Sequence, residues 1–179
     1  MKYSRRAPLF PALIAFVALG TLSLSASDVS AVLGNWTFVK EGSTDLSPFR
    51  SCQLTLSQKG SDLTIARHMD GGRRDHNESM TLNLSQPVNR VPQTWWVDNR
   101  HLGAYTPHDA TKSVRARTLD EGRILRLETD LILETQQGSR AVNIITQYQI
   151  SPDGQRLTVI ELRSTRPRPV THVFTRTTP

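Results

Sequence analysis

The residues able to do chemistry fall into a few groups. His68 and His76 stand with Asp70 and Asp75 in "HMDGGRRDH", residues 68–76, and His101 and His108 stand with Asp98 and Asp109 in "DNRHLGAYTPHD", residues 98–109. A histidine pair with a carboxylate is a donor set for zinc. Neither spacing matches a recognised metal motif, and the glycine pair of the first stretch already accounts for a turn, so neither a metal nor a cofactor is expected. Glu128, Asp130 and Glu134 offer carboxylates for general acid–base work. They alternate with leucines, however, and read as the wet face of a strand paired with arginines. Cys52 is the single cysteine and would need a base beside it to act as a nucleophile. It falls in phase with Leu54 and Leu56, so it is expected to point inward as a small hydrophobe. There is no G-x-S-x-G elbow and no phosphate-binding loop. An enzyme is not expected. Arg67 stands apart: it is in phase with Leu63 and Ile65, and is the one inward charge to watch.

These residues ride on strand patterns. Apolar positions alternate in "SCQLTLSQ" (51–58), "DLTIARHM" (62–69) and "ESMTLNL" (78–84). In "RILRLETDLILE" (123–134), Leu125, Leu127, Leu131 and Leu133 share one side, while Arg126, Glu128, Asp130 and Glu134 share the other. Val142, Ile144, Tyr148 and Ile150 align in the next run, and "VTHVFTR" ends the series. This is the period of strands with one dry and one wet face. "RLTVIEL" changes phase between Val159 and Ile160, which points to a bulge or to burial on both faces. Gly60, Gly71-Gly72, Gly122, Gly138 and Asp153-Gly154 punctuate the runs as hairpin turns. Residues 123–134 would span roughly 40 Å when extended. Long antiparallel strands joined by tight turns favour a closed meander, because an open sheet would expose its edges. The expectation is an all-β, antiparallel up-and-down barrel of eight to ten strands, with no helical period after the leader.

The N-terminus has the order of a secretory signal peptide. Lys2, Arg5 and Arg6 precede an apolar run over residues 7–20, and small and polar residues follow. That run is shorter than the roughly 20 residues of a membrane span. Residues 1–26 are therefore expected to be a signal peptide cut after Ala26, with Ala31 as the alternative, and residues 27–179 a single secreted or periplasmic domain. The 22 basic and 16 acidic residues give a net charge of +6. Three of the basic residues lie in the leader, leaving 19 against 16, or +3. That mild excess gives no clustered basic face, so no nucleic-acid partner is expected, nor stable membrane insertion once the leader is removed. Arg163, Arg166, Arg168 and Arg176 lack interleaved aromatics and read as decoration of a hairpin. A monomer is expected.

Residues 86–112 break the alternation with three prolines, and read as a long loop carrying Trp95, Trp96 and Tyr105. Either the aromatics pack on the barrel as a lid, or they line a binding mouth.

Gly34-x-Trp36 at the head of the first strand, and Ser151-Pro152-Asp153-Gly154-Gln155-Arg156-Leu157-Thr158 in a late hairpin, carry a resemblance. The mature chain resembles the lipocalin or calycin barrels, and more nearly the small secreted bacterial proteins with a lipocalin-like domain and no assigned activity. The resemblance implies Trp36 near the closed end of the barrel, beside Gly34, with a late-strand arginine over the indole. Arg176 and Arg163 are the candidates. The functional expectation is a non-enzymatic barrel binding a small apolar or amphipathic ligand, with Trp95, Trp96, Tyr105 and Arg67 as contacts. The alternative is a cell-envelope structural or interaction module with a packed barrel.

Overall fold

The computed structural model describes residues 29–73, 75–94 and 103–177. The expected signal peptide, Trp95, Trp96 and His101 lie outside the described residues. A short 3-10 turn, Ser30–Val32, leads into strands β1 (Gly34–Val39), β2 (Ser51–Lys59), β3 (Asp62–Asp70), β4 (Asp75–Asn83) and β5 (Asn89–Pro92). The rest are β6 (Ala104–Tyr105), β7 (Thr111–Leu119), β8 (Ile124–Thr135), β9 (Gly138–Ile150), β10 (Arg156–Arg163) and β11 (Val170–Arg176). No helix among the described residues is long and apolar enough to cross a membrane.

Ten strands form one antiparallel path in the order β4-β3-β2-β1-β11-β10-β9-β8-β7-β5, and β6 pairs with β8. The first and last strands meet through Trp36↔Arg176 and Phe38↔Phe174, which turns the meander into a barrel. The path's two ends, β4 and β5, face each other without a ladder. Asn89 bridges that seam: its Oδ1 accepts the Asn83 amide at 2.7 Å and its Nδ2 donates to the Asn83 carbonyl at 3.1 Å. One carboxamide thus replaces a missing pair of backbone bonds.

The alternation read in the sequence sets the faces. Leu125, Leu127, Leu131 and Leu133 of β8 are buried, as are Val142, Ile144, Tyr148 and Ile150 of β9. Those two strands pair over their full length, from Ile124↔Gln149 to Thr135↔Gly138. The tight turns need left-handed backbone: Gly60 has φ +60° and Gly138 has φ +99°.

Two expectations are corrected. No bulge occurs in β10, which keeps continuous register with both β9 and β11. Leu157, Val159, Glu161 and Arg163 face inward, while Ile160 and the 45 % exposed Leu162 face out. The apparent phase change arises because the strand's inner row turns charged halfway along. Residues 86–112 are also not one loop. They contain β5, which pairs with β7 through Asn89↔Val114 to Pro92↔Thr111, and β6 on the edge of β8. Pro92, which lacks an N–H, sits at the end of a four-residue edge strand, where the ladder tolerates it.

Candidate functional site

One end of the barrel is closed by packing. Trp36, Leu56, Leu63, Leu82, Leu125 and Leu157 are all essentially without solvent contact there. The Trp36 indole donates to the Val32 carbonyl at 3.1 Å, which holds the 3-10 turn beneath the barrel. The Arg176 guanidinium lies 4.2 Å from the Trp36 ring centroid. It also donates to the carbonyls of Gly154 (2.8 Å), Leu33 (2.9 Å) and Ala31 (3.3 Å). Of the two candidate arginines, the structure brings Arg176 over the indole. Gly34 leaves room for it: its φ is +135°, and a Cβ there would stand 2.5 Å from Arg176 Nη1.

Above this floor lies a cavity of about 170 Å³. Its wall is layered, and the layering is visible along single strands. On β8, Leu125 and Leu127 belong to the main core, Thr129 follows, and Leu131 and Leu133 belong to a second apolar cluster. On β9, Tyr148, Thr146 and Ile144 repeat that order. The two buried threonines mark a polar belt between apolar layers.

Charges from four other strands join the belt. Arg67 on β3 stands opposite Glu78 on β4 and pairs with it. Glu78 also accepts from Thr94 at 3.1 Å and faces Lys112 Nζ of β7 at 3.5 Å. Across the lumen, Arg163 pairs with Glu161 on β10. Burial alone would raise the Glu78 carboxyl, but Arg67 and Lys112, with the hydrogen bonds from Arg67 and Thr94, hold it down at about 2. The attraction of Glu78 in turn raises Arg67 against the opposing effect of burial. Burial pushes the Tyr148 phenol up to about 12 and the Cys52 thiol up to about 11.

Residues 40–50 pass over the other end. Phe49 is buried there and packs beside His76, with ring centroids 6.3 Å apart. The segment is tied to β11 by the Thr44 amide on the Thr171 carbonyl (2.6 Å) and by the Val173 amide on Ser43 Oγ (2.8 Å).

Arg67 does line the cavity, but the other inward charges were missed by reading Arg67 alone. Their signal was present in phase: Glu78 precedes Met80 and Leu82, Lys112 precedes Val114, and Glu161 and Arg163 follow Leu157 and Val159. Tyr105, expected near a binding mouth, instead stands on β6 opposite Glu134, 61 % exposed and outside the cavity wall. Pairing with an outward position of β8 puts it on the wet face. His68 and His76 pair with Asn77 and Met69 respectively, so period two sends them to opposite faces of the sheet. The outer carboxylates have outer partners: Asp130 with Arg115 at 2.7 Å, Glu128 with Arg126 at 3.2 Å, and Glu134 with Ser139 at 2.7 Å. Among the described residues, no cluster of three or more His, Cys, Asp and Glu could hold a metal ion.

No family model matches the sequence, and no curated protein matches it. Among solved structures, the chain is similar to an abundant heat soluble (SAHS) protein from Ramazzottius varieornatus, crystallised from a dimer sample. The match covers 82 % of this chain and 96 % of that one, with a TM-score of 0.50 and 7 % identity. At that identity the likeness is one of fold. The chain is an all-β, nearly closed antiparallel up-and-down barrel of the lipocalin-like type.

Proposed function

We propose that this protein is a secreted, non-enzymatic barrel that holds a small amphipathic molecule in its lumen. The carrying observation is the cavity above the Trp36 floor, where a polar belt is sandwiched between apolar layers. Pockets of this make-up, mostly apolar with a few placed polar groups, are what small ligands use. The volume is below the roughly 300–1,000 Å³ of drug-sized sites, which limits the occupant to a small molecule. Titration supports binding over catalysis. General acid–base work favours groups near neutrality, whereas Glu78, Tyr148 and Cys52 are all moved away from it. Trp95 and Trp96, which follow Thr94 of the belt, are proposed as contacts at the mouth. The competing reading, a packed interaction module of the cell envelope, draws on the mutual pairing of the lumen charges.

Native mass spectrometry of the purified protein tests the two. A reproducible non-covalent adduct lost on Arg67→Met supports the ligand reading, and an adduct-free protein that no small molecule stabilises sinks it.

Export is proposed with cleavage after Ala26. Val29 is fully buried and the Ala31 carbonyl holds Arg176, so a cut after Ala31 would remove part of the barrel floor. N-terminal sequencing of exported protein should begin at Ser27, and a start at Val32 would overturn this.

A further inference from the structure

The charges that line the lumen are already engaged with one another. Both oxygens of Glu78 have partners: Oε2 takes Arg67 Nη2, while Oε1 accepts from Thr94 Oγ1 at 3.1 Å and faces Lys112 Nζ at 3.5 Å. Glu161 Oε1 pairs with Arg163. Asp45, the other carboxylate on the wall, is exposed and accepts the Ser47 amide at 3.2 Å. A ligand with a fixed charge would have to displace one of these partners or enter the apolar layers unpaired, and either is unfavourable. Beside the second apolar cluster the wall offers neutral groups instead.

Gln93 decides what those groups ask for. It lines the cavity, is 8 % exposed, and donates from Nε2 to the Ile132 carbonyl at 2.8 Å. A carbonyl only accepts, so this bond fixes which end of the carboxamide is which. The buried Oε1 is then left without a hydrogen-bond partner among the described residues. Buried polar atoms are nearly always satisfied, and an acceptor is satisfied only by a donor. The surroundings are apolar with adaptable edges. Ile132 adjoins Leu131, which shares one cluster with Ile144. Thr129 stands in register opposite Ile144, and Thr146 follows on the same strand. Both threonines are buried on the cavity wall, and a hydroxyl can donate or accept. Volume narrows the choice. An apolar cavity of about 150 Å³ holds benzene, and this one is about 170 Å³. One ring or a short chain fits; a long acyl chain does not.

We infer that the lumen binds a small neutral alcohol with a body about the size of a benzene ring, its hydroxyl donating to Gln93 Oε1 and its body against Leu131 and Ile144. Amines carry a charge at neutral pH, which leaves the hydroxyl as the smallest neutral group that donates to Gln93 and still accepts from the belt. The inference rests on the ligand-holding reading above and names the chemical class of its occupant.

Calorimetric titration of the purified protein at neutral pH with benzyl alcohol and with anisole, its isomer that lacks a donor, tests it, with benzoate and benzylamine as charged probes. Benzyl alcohol should bind roughly tenfold or more tightly than anisole, and both charged probes should bind more weakly than the alcohol. Gln93→Met removes the acceptor and should bring the two isomers to within about twofold, through a loss of alcohol affinity with anisole little changed. A variant that merely loosened the wall would weaken both isomers together. Circular dichroism checks that the variant folds, and the comparison of isomers on the parent protein stands without it. If anisole or a charged probe binds as tightly as benzyl alcohol, or if Gln93→Met weakens both isomers alike, the alcohol inference falls and a ligand-holding lumen stands. If none of the probes binds, the inference falls as well, and the ligand-holding reading falls with it when native mass spectra show no adduct.

Discussion

Removing the Glu78 carboxylate would leave Arg67 and Lys112 facing each other inside the barrel. Breaking one partner of a withdrawn ion pair costs more than the pair contributes, because the survivor keeps its desolvation penalty. Arg67 is a third exposed to the cavity, which softens the effect. Glu78→Gln should therefore lose about 2–4 kcal/mol in urea unfolding, and Arg67→Met/Glu78→Gln should recover most of that loss. The same carboxylate sets an acid limit. Its folded pKa of about 2 lies below the ordinary 4.5, so its contribution is fully present above about pH 4.5 and is lost as the pH falls toward 2. Urea midpoints measured across that window should fall for the parent and stay flatter for the double variant. Gly34 makes a different prediction. Alanine there meets both a left-handed φ and a 2.5 Å approach to Arg176 Nη1. Gly34→Ala should cost about 1–3 kcal/mol, with loss of the Trp36 near-UV signal as its spectroscopic mark.

The elements show where the barrel is firmly held and where it is thin. The β8–β9 hairpin pairs twelve residues against twelve without interruption. The β4–β5 seam depends on Asn89, whose carboxamide satisfies both backbone groups of Asn83. Asn89→Leu would leave the Asn83 amide unpaired, while the Asn83 carbonyl keeps the Gln86 amide at 3.1 Å, so it should cost about 1–3 kcal/mol. Hydrogen exchange at the Asn83 amide should accelerate well before exchange in β8 and β9 does; equal protection in the variant would show that the clip is dispensable. Element scale also explains what the sequence concealed. In β10 the inward row runs from Leu157 and Val159 to Glu161 and Arg163. Alternation of apolar residues reports the inner face only while that face is apolar, so the strand's polar half imitated a bulge. In β8, whose inner row stays apolar apart from Thr129, the faces were legible directly.

At the scale of the whole molecule, closure decides what is reachable. Cys52 is 2 % exposed, and its thiol is pushed up to about 11 by burial. It should resist a thiol reagent in native protein and react fully once urea unfolds the barrel. Labelling that precedes unfolding would show that the lumen opens locally. Closure also makes a cavity out of a sheet, since pairing of β1 with β11 brings the first strand to the last across 140 residues of chain, as the Thr37–Thr177 contact shows.

What the chain determined by itself were the local matters. Period-two alternation identified strands and faces, glycine placed the turns, and the length of the runs favoured a closed meander. Cys52 and Arg67 could be assigned to the inner row because each lies within a few residues of leucines in phase. The tertiary structure decided everything that depends on register between distant strands. It chose Arg176 over Arg163 for the Trp36 floor, because only β11 ends opposite β1. It gathered Arg67, Glu78, Lys112, Glu161 and Arg163 from β3, β4, β7 and β10 into one belt, and set Tyr105 outside it. A period gives each residue a side of its own strand. Which side becomes the interior, and which residues of other strands meet there, is fixed only when the sheet closes and low-dielectric walls force the charges to find one another.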